Sequence, residues 1–508
     1  MKRISTLLLV MAFMLSSVAV AKADGIDVKV KGLWQFAIGI QNNRVFKNSP
    51  NWSNARNARR NLTTVAERTN KRRDADNFEA RHRVRTQINF IASEYLQGVL
   101  HFEIGTLDWG RSVAGNTGSA AGGALDADGI NIKTKHAYLD WIIPNTQVSV
   151  RMGIQGMALP STRLGNQIIA ADVAGITVSS PITDWLSLTG FWARPFDRDR
   201  YRGTNVRDEA DFFGVVAPMK FTGFAINPYF VWGRVGVNSG FAEYALPRNG
   251  FSPNFLSNHS VKGASSTVWY LGSNFNMTLL DPLVFGMDVA YGRMQQAEYG
   301  SGGQGKRVGS EGWYIAATLD YKFAWVTPGI FGWYGSGDDA KDFRDHGMLG
   351  RLPAVMLDGG GFKPTSFGSA GFFGVSNGIG DGGQSNAVIG TATGSWGIGI
   401  QAADVTFVKD LSHTLRFAYY RGTNDKDMPL NFGAPAWYND ALYLTTKDSV
   451  FEINFDHKYK IYENLTAVLE LGYLHLRSDK NTWIGSAPNN LKKNDNAWKA
   501  ELSFAYSF

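Results

Sequence analysis

The chain has 508 residues, of which 44% are hydrophobic and 13% aromatic, with 57 glycines, 16 prolines, a formal net charge of +7 and no cysteine. The missing cysteine excludes disulfide scaffolds, thiolate zinc sites, iron–sulfur ligation and cysteine nucleophiles together. No break in composition divides the sequence into the several soluble domains that such a length would otherwise suggest.

Residues 1–23 differ from everything after them. Lys2 and Arg3 lead into an apolar run from Leu7 to Val20 that ends in Ala21-Lys22-Ala23, the pattern of a secretory signal peptide cleaved after Ala23. Its removal takes three basic residues and no acid, leaving a mildly basic domain over 24–508. No later stretch reaches the roughly 18 to 20 consecutive apolar residues of a helical span. An exported, cysteine-free, glycine-rich and aromatic-rich chain is then either a secreted all-β protein or a membrane β-barrel.

Periodicity separates the two. Val28, Val30, Trp34, Phe36, Ile38 and Ile40 share one parity, while Lys29, Lys31, Gln35 and Gln41 share the other, a period of two over more than ten residues. Similar segments recur near 27–41, 78–93, 97–109, 130–143, 147–156, 173–180, 186–194, 211–220, 224–235, 265–279, 283–293, 311–322, 325–334, 395–407, 413–422, 448–459, 465–477 and 497–508. That is eighteen strands, with sixteen as the near alternative. Every other junction is short, among them Tyr95-Leu96, Pro144-Asn145 and Asp281-Pro282, whereas 42–77, 236–263 and the glycine-rich stretch 335–394 are long. Short turns on one rim and long loops on the other are what an up-and-down transmembrane antiparallel β-barrel requires. Strands of about ten residues suit a tilted membrane crossing better than the usual five or six of a sandwich. Aromatic residues at strand ends, Trp109, Trp141, Trp185, Trp232, Trp325, Trp333 and Tyr459, fit headgroup belts.

With the signal peptide, the alternation and a final strand ending Phe504-Ala505-Tyr506-Ser507-Phe508, the chain resembles a Gram-negative outer-membrane porin of the homotrimeric type. The resemblance implies a cell outer membrane location, a homotrimer, and recognition of Leu502, Phe504, Tyr506 and Phe508 by the barrel-assembly machinery. It also implies that the third external loop, about 156–172, folds inward as the constriction through Leu159, Pro160, Arg163 and Asn166. That loop lacks the acidic character common in general porins, so the long loop after Gly335 is the alternative plug.

In a barrel with an apolar outside, the other parity lines the lumen. On the second strand Arg81, Arg83 and Arg85 share that parity, nearly 7 Å apart, and water in the lumen would screen their repulsion. Lys133, Lys135, Arg151 and Arg416 extend a basic wall. The parity of the strand bearing the two lysines is ambiguous. Glu103, Asp288, Asp320, Glu452 and Asp456 are expected to oppose it as an acidic one, together orienting polar solutes. No continuous inward aromatic ladder is discernible.

The first long loop carries nine basic residues, from Arg44 to Arg73. Export argues against nucleic acid as a partner, and lipopolysaccharide phosphates offer a counter-charge at the outer leaflet. No G-x-S-x-G elbow or metal-spaced histidine pair occurs, and His82, His413 and His457 fall on the apolar parity. No enzyme activity and no cofactor are expected, although Asp126 with Asp128, and Asp338 with Asp339 and Asp342, are loop carboxylates that could hold calcium. The expected function is a passive diffusion channel for ions and small hydrophilic solutes. The alternative is a channel specific for an anion or a sugar, and a chiefly structural or adhesive barrel is the third.

Overall fold

The computed structural model describes residues 25–42, 77–110, 132–197, 209–236, 261–262, 266–299, 306–353, 356–357, 362–369, 392–432, 437–438, 441–479, 481–482 and 494–508. The signal segment, the basic first loop, and Asp126 and Asp128 lie outside the described residues.

Eighteen strands form the wall. They are β1 (Asp27–Asn42), β2 (Asn77–Ser93), β3 (Leu96–Asp108), β4 (Ile132–Ile142), β5 (Ser149–Ala158), β6 (Ile169–Pro181), β7 (Ser187–Asp197), β8 (Glu209–Val216), β9 (Phe224–Val235) and β10 (Ser266–Met277). The rest are β11 (Leu283–Tyr299), β12 (Lys306–Tyr321), β13 (Thr327–Gly335), β14 (Ser395–Val408), β15 (Leu411–Gly422), β16 (Ser449–Tyr462), β17 (Leu465–Arg477) and β18 (Asn494–Ser507). Each pairs antiparallel with its chain neighbour, β8 resuming at Met219–Phe221 after Pro218 interrupts its ladder. The circle closes where β1 pairs with β18, from Leu33 opposite Ser507 to Asn42 opposite Trp498. Closure leaves no wall strand with an open edge, so the backbone hydrogen bonds are satisfied within the wall, as a membrane interior demands.

The parity expected from sequence is the parity observed. Val30, Trp34 and Ile40 of β1, Leu271 of β10, Ile398 and Ile400 of β14 and Tyr506 of β18 are exposed on the outside, while Gln35, Ala37 and Gln41 are buried on the inside. This register is strongly determined at β2. A slip of one residue would turn Arg81, Arg83 and Arg85 to the lipid face, where an arginine costs about 2–4 kcal/mol at mid-membrane.

One expected belt residue is on the other face. Trp333 is buried inside the wall, its ring 5.0 Å from that of Phe362 and 5.9 Å from that of Tyr420, and its indole N–H donates to Ser395 Oγ at 3.1 Å. It shares that inner face with Tyr229, Tyr270, Tyr314, Phe331 and Tyr420, all buried. These inward aromatics are packed away and do not make a continuous ladder along an open path. They form the core with inserted loop residues Leu159, Leu164, Ile168, Leu352, Phe362 and Phe367.

Two short helices occur among the described residues, α1 (Ala340–His346) and α2 (Asp427–Phe432). Asp339 caps α1 by accepting the backbone N–H groups of Lys341 and Asp342, and Gly347 ends it in a left-handed conformation. Beyond α1 the chain pairs at Met348–Leu349 with the start of β12 and at Met356–Leu357 with the start of β6. These contacts lead the loop from the rim into the barrel.

Candidate functional site

The β5–β6 loop turns inward. Asn166 shapes its return by accepting the N–H groups of Ile168 and Ile169 through Oδ1, at 2.7 and 3.0 Å. At its tip the Thr162 N–H and hydroxyl both donate to Asp288 of β11, and Asn274 of β10 donates to the same carboxylate. Arg163 grips Asp320 of β12 at 3.1 and 3.3 Å, with its guanidinium 5.1 Å from the Phe331 ring centroid. Leu159 is buried against the wall and Pro160 is half-buried. The loop thus reaches strands six places round the barrel from its own.

The long loop after β13 also inserts, so both loops expected as alternative constrictions enter the barrel. Its N–H at Lys363 donates to the Leu164 carbonyl, and its N–H at Ala392 donates to Gln167, joining the two loops. Further round the wall, Ser366 donates to Asp456 and Asn454, and the Gly368 N–H donates to Glu452 at 2.8 Å. Arg416 pairs with Asp456, and Tyr420 donates to Glu452. Four of the five expected lumen carboxylates, Asp288, Asp320, Glu452 and Asp456, therefore face inward but hold loops in place.

The fifth, Glu103, is on the same wall as the arginines, not across the lumen from them. It lies on the adjoining strand, directly across from Arg85, which donates to it at 2.8 Å. Arg83 makes two bonds to Gln35 of β1, at 2.7 and 3.1 Å, and lies 4.0 Å from Glu103, while Arg81 pairs with Glu79. Repulsion along this ladder is relieved by side-chain partners. Arg81 and Arg83 are buried and the Arg85 side chain is 25% exposed. On the same inner wall Lys499 of β18 lies between Glu470, at 2.8 Å, and Glu501, at 3.8 Å, all three buried.

A β-bulge resolves the ambiguous parity of β4. His101 pairs with His136 and Phe102 with Thr134, so Lys135 is the extra residue. Lys133 falls opposite Glu103, and Lys135 bonds to Asp172 of β6. Arg151 forms a two-bond pair with Asp140, at 2.6 and 3.0 Å, and sits 4.3 Å from the Tyr138 ring centroid. The fork geometry fixes this guanidinium against its own wall.

Above the inserted loops, Asp338, Arg351, Tyr443 and Asn424 tie the β13–β14 and β15–β16 loops together. Arg351 Nε donates to Asp338 at 2.9 Å, Tyr443 OH donates to the same oxygen at 3.0 Å, and Asn424 accepts the Asp338 N–H. Burial pushes the Tyr443 phenol up, which keeps it a donor. Of the remaining members of the carboxylate cluster, Asp339 caps α1 and Asp342 pairs with His346. These carboxylates have separate partners, and among the described residues no group of three His, Asp or Glu forms a cation cage.

No family model matches this chain, and no curated protein does. Solved structures of similar outline include Acinetobacter baumannii OccAB3, 13% identical with a TM-score of 0.47 over 95% of this chain and 99% of that one. Pseudomonas aeruginosa OprD is 11% identical with a TM-score of 0.47 over 96% and 98%. Pseudomonas aeruginosa OccK2, solved in complex with glucuronate, is 11% identical with a TM-score of 0.49 over 95% and 98%. At these values neither solute nor assembly is carried over to this chain.

At the seam, Leu502, Phe504 and Tyr506 lie opposite Ile38, Phe36 and Trp34. Phe508 continues the ladder by exchanging two backbone hydrogen bonds with Gly32, at 2.8 and 3.1 Å. The four terminal apolar residues thus complete the closure of the wall. Sequence reasoning missed Gln35, Lys499, Glu470 and Glu501, since the pairing of β1 with β2 and β18 brings them into the charged wall.

Proposed function

We propose that this chain is a passive outer-membrane channel for ions and small hydrophilic solutes in a Gram-negative bacterium. The observation that carries this is a closed wall with an apolar outside and charged side chains inside, narrowed by two loops that buried side chains hold in place. Such a wall lets the outer face dissolve in lipid while the inner face stays polar. In this role Arg81, Arg83, Arg85, Lys133, Lys135, Arg151 and Arg416 set a basic bias along the wall. Leu159, Pro160, Arg163 and Asn166 shape the constriction jointly with the loop after Gly335. Leu502, Phe504, Tyr506 and Phe508 serve as the assembly signal, and the functional unit is a homotrimer. Lipopolysaccharide at the outer leaflet is the lipid partner of the external rim. No catalytic step is part of the function.

A second reading, a channel selective for anionic solutes, is favoured by one specific observation. Arg85 is the most exposed member of the arginine ladder and has a single carboxylate partner in Glu103. A solute carboxylate could exchange for that partner while the buried Arg81 and Arg83 keep the local potential positive.

Single-channel conductance of the purified protein in a planar bilayer tests both. Open ohmic steps in groups of three, with an anion preference that falls when Arg81, Arg83 and Arg85 are together replaced by Ser, support the channel. Saturable block by one anionic solute selects the second reading. Absence of steps from folded protein overturns both.

A further inference from the structure

We propose that His101 and His136 form a chelating site for a divalent transition-metal ion of the zinc or copper type, oriented by Asp172. The two residues are directly opposite one another on β3 and β4, on the parity shared with Val99, Glu103 and Tyr138. Their Nδ1 atoms lie 3.2 Å apart as a hydrogen-bonded pair, so a shared metal requires His101 to carry its ring proton on Nε2 in place of Nδ1, and the His136 side chain is 18% exposed.

That separation suits a shared metal. With metal–nitrogen bonds of about 2.0–2.1 Å, nitrogens 3.2 Å apart subtend an angle of about 100°, close to tetrahedral. The other cross-strand pair, His413 with His457, fails this test. Its Nδ1 atoms are 2.6 Å apart, which would force an angle of about 80°. Those two rings also fall on the outward parity with Phe455, exposed at the surface.

Asp172 supplies the second element. Its Oδ1 lies 2.8 Å from His136 Nε2. With the proton on Nε2 and donated to the carboxylate, a neutral ring presents its Nδ1 lone pair towards His101. This carboxylate–histidine arrangement fixes tautomer and ring orientation at metal centres. The cationic neighbours already have partners, Lys135 in Asp172 and Arg85 in Glu103. No third His, Asp or Glu converges among the described residues, so water or a solute ligand would complete the coordination. The ion is therefore exchangeable and would add positive charge to the lumen wall when bound.

The test is calorimetric titration of the chelator-treated full chain in detergent with Zn2+, with electron paramagnetic resonance of the Cu2+ complex. One equivalent per chain and hyperfine coupling to two nitrogens are expected. His101→Ala and His136→Ala should each abolish that equivalent, and His413→Ala should leave it unchanged. Asp172→Asn should weaken it by about 10–100-fold. If the alanine variants do not assemble, His101→Gln and His136→Gln take their place, and the copper spectrum of the unaltered chain needs no variant. Absence of saturable binding, binding unchanged by loss of His101 or His136, or a spectrum without two nitrogen ligands would overturn the proposal. None of these readouts requires an open channel.

Discussion

Thr162 and Asp288 are 126 residues apart in the chain, yet Thr162 gives the Asp288 carboxylate both its backbone N–H, at 2.9 and 3.0 Å, and its hydroxyl, at 2.7 Å. The aspartate is buried, and Asn274 is its only other hydrogen-bond donor shown among the described residues. Hydrogen bonds to a charged group contribute about 1.5–3 kcal/mol each. Asp288→Ala should release the loop tip while leaving the barrel closed, because the wall ladders on β11 do not depend on this side chain. The expected outcome is a larger and noisier single-channel conductance with unchanged heat-modifiable mobility on a gel. Unchanged conductance would mean that Arg163 with Asp320 and the bonds to the long loop hold the tip without Asp288.

Glu103→Gln tests the basic wall from its acidic side. The substitution keeps an acceptor for Arg85 but removes the charge that neutralises it, at the most exposed position of the ladder. Zero-current potentials in a salt gradient should shift toward anion preference, most strongly at low ionic strength where screening is weak. Arg85→Ser should shift them the opposite way. Equal shifts at low and high salt would argue against an electrostatic origin.

The wall was legible because lipid on one side and polar groups on the other impose a period of two on every strand. Arg81, Arg83 and Arg85 declare their face because three arginines cannot all turn to lipid. Departures occur where that constraint lapses. β11 and β12 run on to Tyr299 and back to Lys306 at the rim, where glycine and polar residues replace the alternation. Trp333 resembles a belt residue in sequence, but it shares the inner parity of Phe331, where it packs on Phe362 and Tyr420. The anchoring roles of Asp288 and Asp456 depend on Thr162 and Ser366, partners far away in sequence that no spacing rule marks. The Lys135 bulge likewise leaves no local signature.

Lys499 gives a stability test within the wall. Its ammonium lies between the buried carboxylates of Glu470 and Glu501, with Glu470 at 2.8 Å. Lys499→Met removes the cation shared by two like charges, and losing one partner of a buried pair costs about 3–5 kcal/mol. The barrel should unfold at a lower temperature in detergent, measured as the loss of compact mobility on heating. The double variant Lys499→Met with Glu470→Gln should recover part of that loss.

The buried Asp338–Arg351 pair supports a prediction about the outer loops. Both side chains are almost fully enclosed, and Tyr443 and the Gly350 N–H complete the coordination of the carboxylate. Arg351→Ala removes the principal counter-charge and leaves Asp338 in a site from which water is excluded. Asp338→Ala removes the carboxylate that the guanidinium pairs with, although its face still meets the Tyr443 ring at 5.3 Å. Because an isolated buried charge is worse than none, each single variant should loosen the join between the two loops more than the double variant Asp338→Asn with Arg351→Met. Limited proteolysis of the folded protein measures this, with cleavage in the 335–394 and 422–449 loops faster in the single variants. Faster cleavage in the double variant than in either single would mean that the pair holds the loops by direct attraction, beyond the cost of leaving one charge unpaired.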